Sequence, residues 1–208
     1  TIYNVDFEVQ KSTNGGTSWT HSFTNAHVDQ HALAFNASIP GEVLLGNDGG
    51  LYYSSNGGSS AVKDLKLPIT QFYRMHVDAQ NENKMYGGAQ DNSTSRTQTG
   101  GLTDWNIIYG GDGFQPLVDP TNTNVIYALY QYGALGKSTN NGNSFSNATN
   151  GISGGDRKNW DTPITFDPTS SQTLYYGTNR LYKTTNAAGN WAAISPDLTD
   201  GPHTGNCL

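Results

Sequence analysis

The chain has 208 residues and a formal net charge of -6; glycine, asparagine, threonine and serine make up 87 of its residues, whereas charged residues supply 13%. Three glutamates set against twelve tyrosines exclude a helical bundle, which would be rich in Ala, Leu, Glu and Lys, and favour short strands joined by tight turns. With 11 basic residues and no basic run, the chain carries no electrostatic footprint for nucleic acid.

No stretch approaches 18 consecutive apolar residues, so no membrane-spanning helix is expected, and the first residues read as a strand rather than a leader. Cys207 is the only cysteine and has no partner for a disulfide within the chain. Sequons at Asn36, Asn92 and Asn147 carry little weight in a sequence this rich in Asn, Ser and Thr.

Taken in chain order, one motif recurs. It reads Ser12-Thr-Asn14-Gly-Gly16-Thr-Ser18-Trp19, then Ser54-Ser-Asn56-Gly-Gly58-Ser-Ser60, then a degenerate copy from Thr97 to Trp105, then Ser138-Thr-Asn140-Asn-Gly142-Asn-Ser144-Phe145, and Thr184-Thr-Asn186-Ala-Ala188-Gly-Asn190-Trp191. The spacing of about 43 residues is that of a four-stranded propeller blade. In each copy Asn closes a turn on its own backbone, Gly accepts a positive φ, and the terminal aromatic packs the hairpin onto its sheet. Trp19, Trp105 and Trp191 are therefore expected to be packing residues.

Ahead of each of the last four hairpins, an apolar run ends on an anchor, Asn36, Asp78, Asp119 or Asp167, and a second strand of Val, Leu and Tyr character follows. The expected fold is all-β, a β-propeller of four-stranded antiparallel blades with about 4.5 blades present. Their expected bounds are 1–25 (an outer half only), 26–67, 68–109, 110–155 and 156–200. So few blades point to part of a larger propeller, whose remaining blades come from the rest of the protein or from another chain.

The hairpins resemble the Asp-box, or BNR repeat, of sialidases, sortilin-type receptors and two-propeller xyloglucanases. His27-Val-Asp29-Gln-His31-Ala-Leu followed by Gly46-Asn-Asp48-Gly-Gly50-Leu-Tyr is similar to a pair of segments in sortilin-like BNR proteins secreted by bacteria, and Gln71-Phe-Tyr-Arg74, Gln90-Asp-Asn92 and Gly110-Gly-Asp112-Gly resemble later motifs of that group. The resemblance implies a bacterial protein at the cell surface or outside the cell. All four clear copies carry Asn where the motif is named for Asp, which preserves the turn chemistry. A sialidase is not supported, since that site clamps a carboxylate with three arginines and the chain holds four in all.

In a propeller, the innermost strand starts on the face to which the turn between strands two and three returns. Aligning the repeats puts Asp29, Gln71, Asp112 and Trp160 at one level of that face, and His31, Tyr73, Phe114 and Thr162 at the next. The returning turns add Asp48, Gln90, Asp91, Asn92, Gln131, Asn179 and Arg180. The ligand-binding candidates are His27, Asp29, His31, Asp48, Tyr73, Arg74, Asp91, Asn92, Asp112, Trp160 and Arg180, an acidic, aromatic-bordered set suited to hydroxyl-rich or cationic ligands. Arg74 is expected to pair with one of the aspartates of this set.

No cofactor is expected beyond a possible divalent metal. Period-two alternation along a strand would put His27, Asp29 and His31 on one side, a donor set that suits such an ion, although His and Asp also serve to order loops. The catalytic candidates are Asp29, Asp48, Asp91 and Asp112, because glycoside cleavage needs paired carboxyls. The expected function is a glycan- or protein-binding adhesion module; the alternatives are a polysaccharide hydrolase acting through paired aspartates and a structural scaffold within a larger extracellular assembly.

Overall fold

A computed structural model of the chain describes residues 1–67 and 69–199, so Cys207 lies outside the described residues. The protein is all-β, a β-propeller assembled from antiparallel sheets that follow one another along the sequence. The first sheet has three strands, β1 (Ile2–Val5), β2 (Val9–Ser12) and β3 (Thr20–Ser22). The second has four, β4 (Gln30–Phe35), β5 (Val43–Asn47), β6 (Gly50–Ser54) and β7 (Val62–Lys63). The third comprises β8 (Arg74–Asp78), β9 (Asn81–Ala89), β10 (Ser93–Thr97) and β11 (Asn106–Tyr109). The fourth comprises β12 (Leu117–Asp119), β13 (Asn122–Tyr130), β14 (Ala134–Ser138) and β15 (Ser146–Asn147), and the fifth β16 (Ile164–Asp167), β17 (Ser170–Gly177), β18 (Leu181–Thr184) and β19 (Ala192–Ala193).

The chain divides into two compact units, Thr1–Ile69 with the first two sheets and Thr70–Leu208 with the other three. In the first unit Val9, Phe23, Val43, Leu45 and Tyr52 are buried together. In the second, Phe114, Leu117, Tyr127, Leu129, Leu135, Leu174, Tyr176 and Trp191 form the main core, and Tyr86, Val118 and Ile126 a smaller one.

The repeated hairpins share one hydrogen-bond pattern, which explains their sequence. Ser138 Oγ donates to Asn140 Oδ1 at 2.9 Å and accepts from the Gly142 amide at 2.9 Å, and Asn140 Oδ1 also accepts from the Ser144 amide at 3.0 Å. Ser12 with Asn14 and Ser54 with Asn56 repeat it, and Thr184 holds Asn186 in the same way. Asn serves in place of Asp because its carbonyl does this accepting, while its amide adds a bond from Asn14, Asn56 or Asn140 to the hydroxyl of Ser18, Ser60 or Ser144. In the degenerate copy Asp104 takes over, accepting from Thr97 Oγ1 at 2.6 Å and Thr99 Oγ1 at 2.9 Å; these bonds, that of Thr97 foremost, hold its carboxyl below the usual aspartate range.

The aromatic residues at the hairpin ends do not all share one role. Trp191 is 2% exposed and Trp19 is 42% exposed. The difference is tertiary: Trp191 Nε1 donates to the carbonyl of Ala148 in the preceding blade at 2.8 Å, and among the described residues no blade precedes the one that carries Trp19.

Candidate functional site

In the second unit, three residues of the two aligned levels meet: Tyr73 and Phe114 from one level and Trp160 from the other. Tyr73 lies just before β8, Phe114 just before β12 and Trp160 ahead of β16. Their rings meet edge to face: Phe114 to Trp160 at 4.6 Å and 77°, Tyr73 to Trp160 at 5.6 Å and 87°, and Tyr73 to Phe114 at 5.9 Å and 60°. Each such contact contributes about 0.5–1.5 kcal/mol beyond area burial. Phe114 is fully buried, Trp160 is half-buried, and Tyr73 remains 48% exposed. The cluster thus has a closed base and an open rim.

Backbone contacts within and between blades hold this cluster. The Phe114 amide donates to the Leu129 carbonyl at 3.1 Å, and the Tyr132 amide to the Trp160 carbonyl at 3.1 Å. Gly88 permits the approach on β9, since a Cβ there would lie 2.0 Å from the Phe114 carbonyl oxygen. Trp160 therefore sits where the fourth and fifth blades meet.

Polar groups surround the rim. Tyr73 donates its hydroxyl to Gln90 Oε1 at 2.8 Å. Arg74 pairs through Nε at 3.0 Å and Nη2 at 2.7 Å with a single oxygen of Asp161, not with Asp29, Asp48, Asp91 or Asp112 as expected. Their sequence separation of 87 explains why spacing did not single out this partner. Asp112 uses one oxygen to accept from the Asp91 amide at 2.9 Å and the other to accept from Gln131 Nε2 at 3.0 Å, and Gln131 Oε1 receives the Asp112 amide at 2.9 Å. Asn92 donates its side-chain amide to the Gln90 carbonyl at 3.2 Å. Asp112 and Asn92 thus order the loops that frame the aromatic cluster.

Arg180 stands 3.8 Å from Asp156, whose other oxygen accepts from Thr178 and Tyr182. Nearby, Asp197 accepts from the Thr199 backbone and hydroxyl, Asn179 and Arg157, and these donors, the Thr199 amide foremost, hold its carboxyl well below the usual range. Asp156 and Asp161 carry no turn-motif or repeat signal that sequence reasoning would have picked out, whereas Asp197 heads the same Asp-x-Thr turn as Asp119 and Asp167.

In the first unit the expected strand-borne triplet is not formed. β4 begins at Gln30, Asp29 takes a left-handed conformation with φ of 61°, and the register with β5 shifts between Gln30 and Ala32. Alternation therefore does not put His27, Asp29 and His31 on one side of a strand. The half-buried His27 ring approaches the Val28 carbonyl through Nδ1 at 2.9 Å and lies against Gly49, where a Cβ would come 2.4 Å from that of His27. Asn47 donates to the His27 carbonyl at 3.0 Å and accepts from the Gly49 amide at 3.0 Å, tying the two motifs together. His31 Nε2 engages Asp48 Oδ1, and Asp29 and Asp48 present carboxylate oxygens within 4.8 Å of one another. The two imidazoles of the metal reading thus make separate contacts, His27 with the Val28 carbonyl and His31 with Asp48, whereas Asp29 and Asp48, two catalytic candidates, come close.

Fold and site together define a propeller whose face, in the second unit, carries an open aromatic cluster framed by polar side chains. Solved structures similar to the chain include an ancestral GH74 enzyme, 20% identical over 92% of this chain and 29% of that one, with a TM-score of 0.48. The GH74 enzyme of Niastella koreensis is 18% identical over 91% and 35% of the two chains, with a TM-score of 0.46, and YCF48 bound to D1 peptide is 11% identical over 89% and 60%, with a TM-score of 0.45. The chain thus spans 29% and 35% of the length of the two GH74 chains. No family model and no curated protein matches the sequence.

Proposed function

We propose that this chain is part of a secreted or cell-surface bacterial BNR/Asp-box propeller, of the sortilin-like kind, that binds glycans or extracellular proteins, with glycan the favoured ligand. The observation that carries this reading is the Tyr73, Phe114 and Trp160 cluster with its open rim. A sugar ring needs an apolar surface for its C–H face and planar polar groups for its hydroxyls; half-exposed Tyr73 offers the first, and Gln90, Arg74 and Asp161 offer the second. Glycan-array screening followed by calorimetric titration of the best hit tests it. Tyr73→Ala and Trp160→Ala should each weaken binding at least about tenfold, the equivalent of roughly 1.4 kcal/mol. Unchanged affinity in both variants, with the fold retained, would remove this face from the reading.

A second reading, polysaccharide hydrolysis, draws on the first unit. Asp29 and Asp48, with oxygens within 4.8 Å of each other, approach the carboxyl separation of about 5–5.5 Å used by retaining enzymes. Product release from polysaccharide that disappears in both Asp29→Asn and Asp48→Asn would establish it; no product from the intact chain would remove it.

A further inference from the structure

The turn Gln131-Tyr132-Gly133, between β13 and β14, has the same place in its blade as Gln90-Asp91-Asn92, between β9 and β10. In both turns the middle residue is left-handed, Asp91 with φ of 59° and Tyr132 with φ of 58°. Asp adopts that backbone readily, because its short polar side chain bonds locally. A tyrosine is disfavoured there, since its Cβ crowds the following carbonyl oxygen. The turn by itself calls for Asp, Asn or Gly, and the aromatic ring stands against that local preference.

The turn is held from three sides. Gln131 accepts from the Asp112 amide at 2.9 Å and donates to Asp112 Oδ2 at 3.0 Å. The Tyr132 amide donates to the Trp160 carbonyl at 3.1 Å, and the Tyr176 hydroxyl donates to the Gly133 carbonyl at 2.6 Å. Gly133 has φ of 73°, and the Tyr176 hydroxyl leaves no room for a Cβ there. These bonds use the backbone and the Gln131 side chain, so each could form with another residue at position 132. What the tyrosine adds is a ring, 49% exposed, on a turn fixed beside Trp160. A disfavoured backbone kept for a side chain that the turn does not need marks a functional group.

We propose that Tyr132 contacts the ligand of this face as a second stacking platform beyond Tyr73, and that the ligand is accordingly an oligosaccharide chain rather than a single terminal sugar. The inference rests on the glycan reading of the face. Tyr73 comes from the third blade and Tyr132 from the fourth, and both meet Trp160 of the fifth, the first through its ring at 5.6 Å and the second through its amide. Linked sugars present successive C–H faces, and two half-exposed phenol rings can each take one. A ring fixed before the ligand arrives also spares binding an ordering cost.

Calorimetric titration of the intact chain with oligosaccharides of increasing length, cut from the best glycan-array hit, tests this. Parent affinity should rise with length. Tyr132→Asn should lower affinity for the longer oligosaccharides roughly fivefold and leave the shortest unchanged. Tyr132→Phe, which keeps the ring, should stay within about twofold of the parent at every length. Tyr73→Ala should weaken all lengths. Because Asn tolerates the left-handed turn, Tyr132→Asn should melt at or above the parent temperature. If that variant keeps the parent's length dependence, or loses affinity equally at every length, the proposal is overturned while the glycan reading stands. A lower melting temperature in Tyr132→Asn would also overturn it, by showing that the ring packs the turn. A chain that binds no glycan removes both.

Discussion

The hairpin serine carries a cost that follows from its bonds. Ser138 is 1% exposed, and its hydroxyl accepts from the amides of Gly142 at 2.9 Å and Asn140 at 3.2 Å while donating to Asn140 Oδ1. Ser138→Ala leaves the buried Gly142 amide without this acceptor, which costs about 1–3 kcal/mol. It also loosens Asn140, the group that holds the Ser144 amide. Taking about 2 kcal/mol, the melting temperature should fall by about 4–8 °C for a protein of this size. Thr184 makes the same two bonds with Asn186 in the fifth blade, which shows that a threonine hydroxyl fits this turn, so Ser138→Thr should remain within about 0.5 kcal/mol of the parent. Scanning calorimetry with urea denaturation measures both. A Ser138→Ala variant as stable as the parent, or a threonine variant as weak as the alanine one, would refute the account of the turn.

Phe114→Ala empties the base of the aromatic cluster and should cost about 3–5 kcal/mol in urea unfolding, with Tyr73→Ala, at the exposed rim, costing far less. Arg74→Met breaks the pair with Asp161; because Arg74 is largely exposed, stability should change by less than about 1 kcal/mol while ligand affinity on this face changes. The depressed Asp197 carboxyl contributes stability that is present above the ordinary aspartate pKa, near about 3.9, and is lost as pH falls through the lower folded value. Asp197→Asn should therefore flatten the acid limb of the stability profile, and an unchanged limb would show that the carboxyl does not act in this way.

How much of the site was legible depends on how far its bonds reach. The hairpins were readable because Ser138, Asn140, Gly142 and Ser144 satisfy one another within six residues, so local sequence suffices. Tyr73 and Phe114 occupy equal positions of their repeats and so were readable as neighbours on one face, whereas Trp160 stands two residues earlier in its repeat and its contact with both rings is a tertiary outcome. The partner of Arg74 was not readable, since Asp161 lies in another blade. His27 and Asp29 defeated the alternation argument because a left-handed residue and a register shift interrupt the extended chain there.

The sequence by itself determined the period, the turns and the anchors, which rest on short-range hydrogen bonds and on Gly and Asn tolerating positive φ. Tertiary structure alone decided what those turns touch. Trp19 and Trp191 end similar hairpins, yet one is exposed and the other buried, because burial depends on the neighbouring blade that offers the Ala148 carbonyl and an apolar surface.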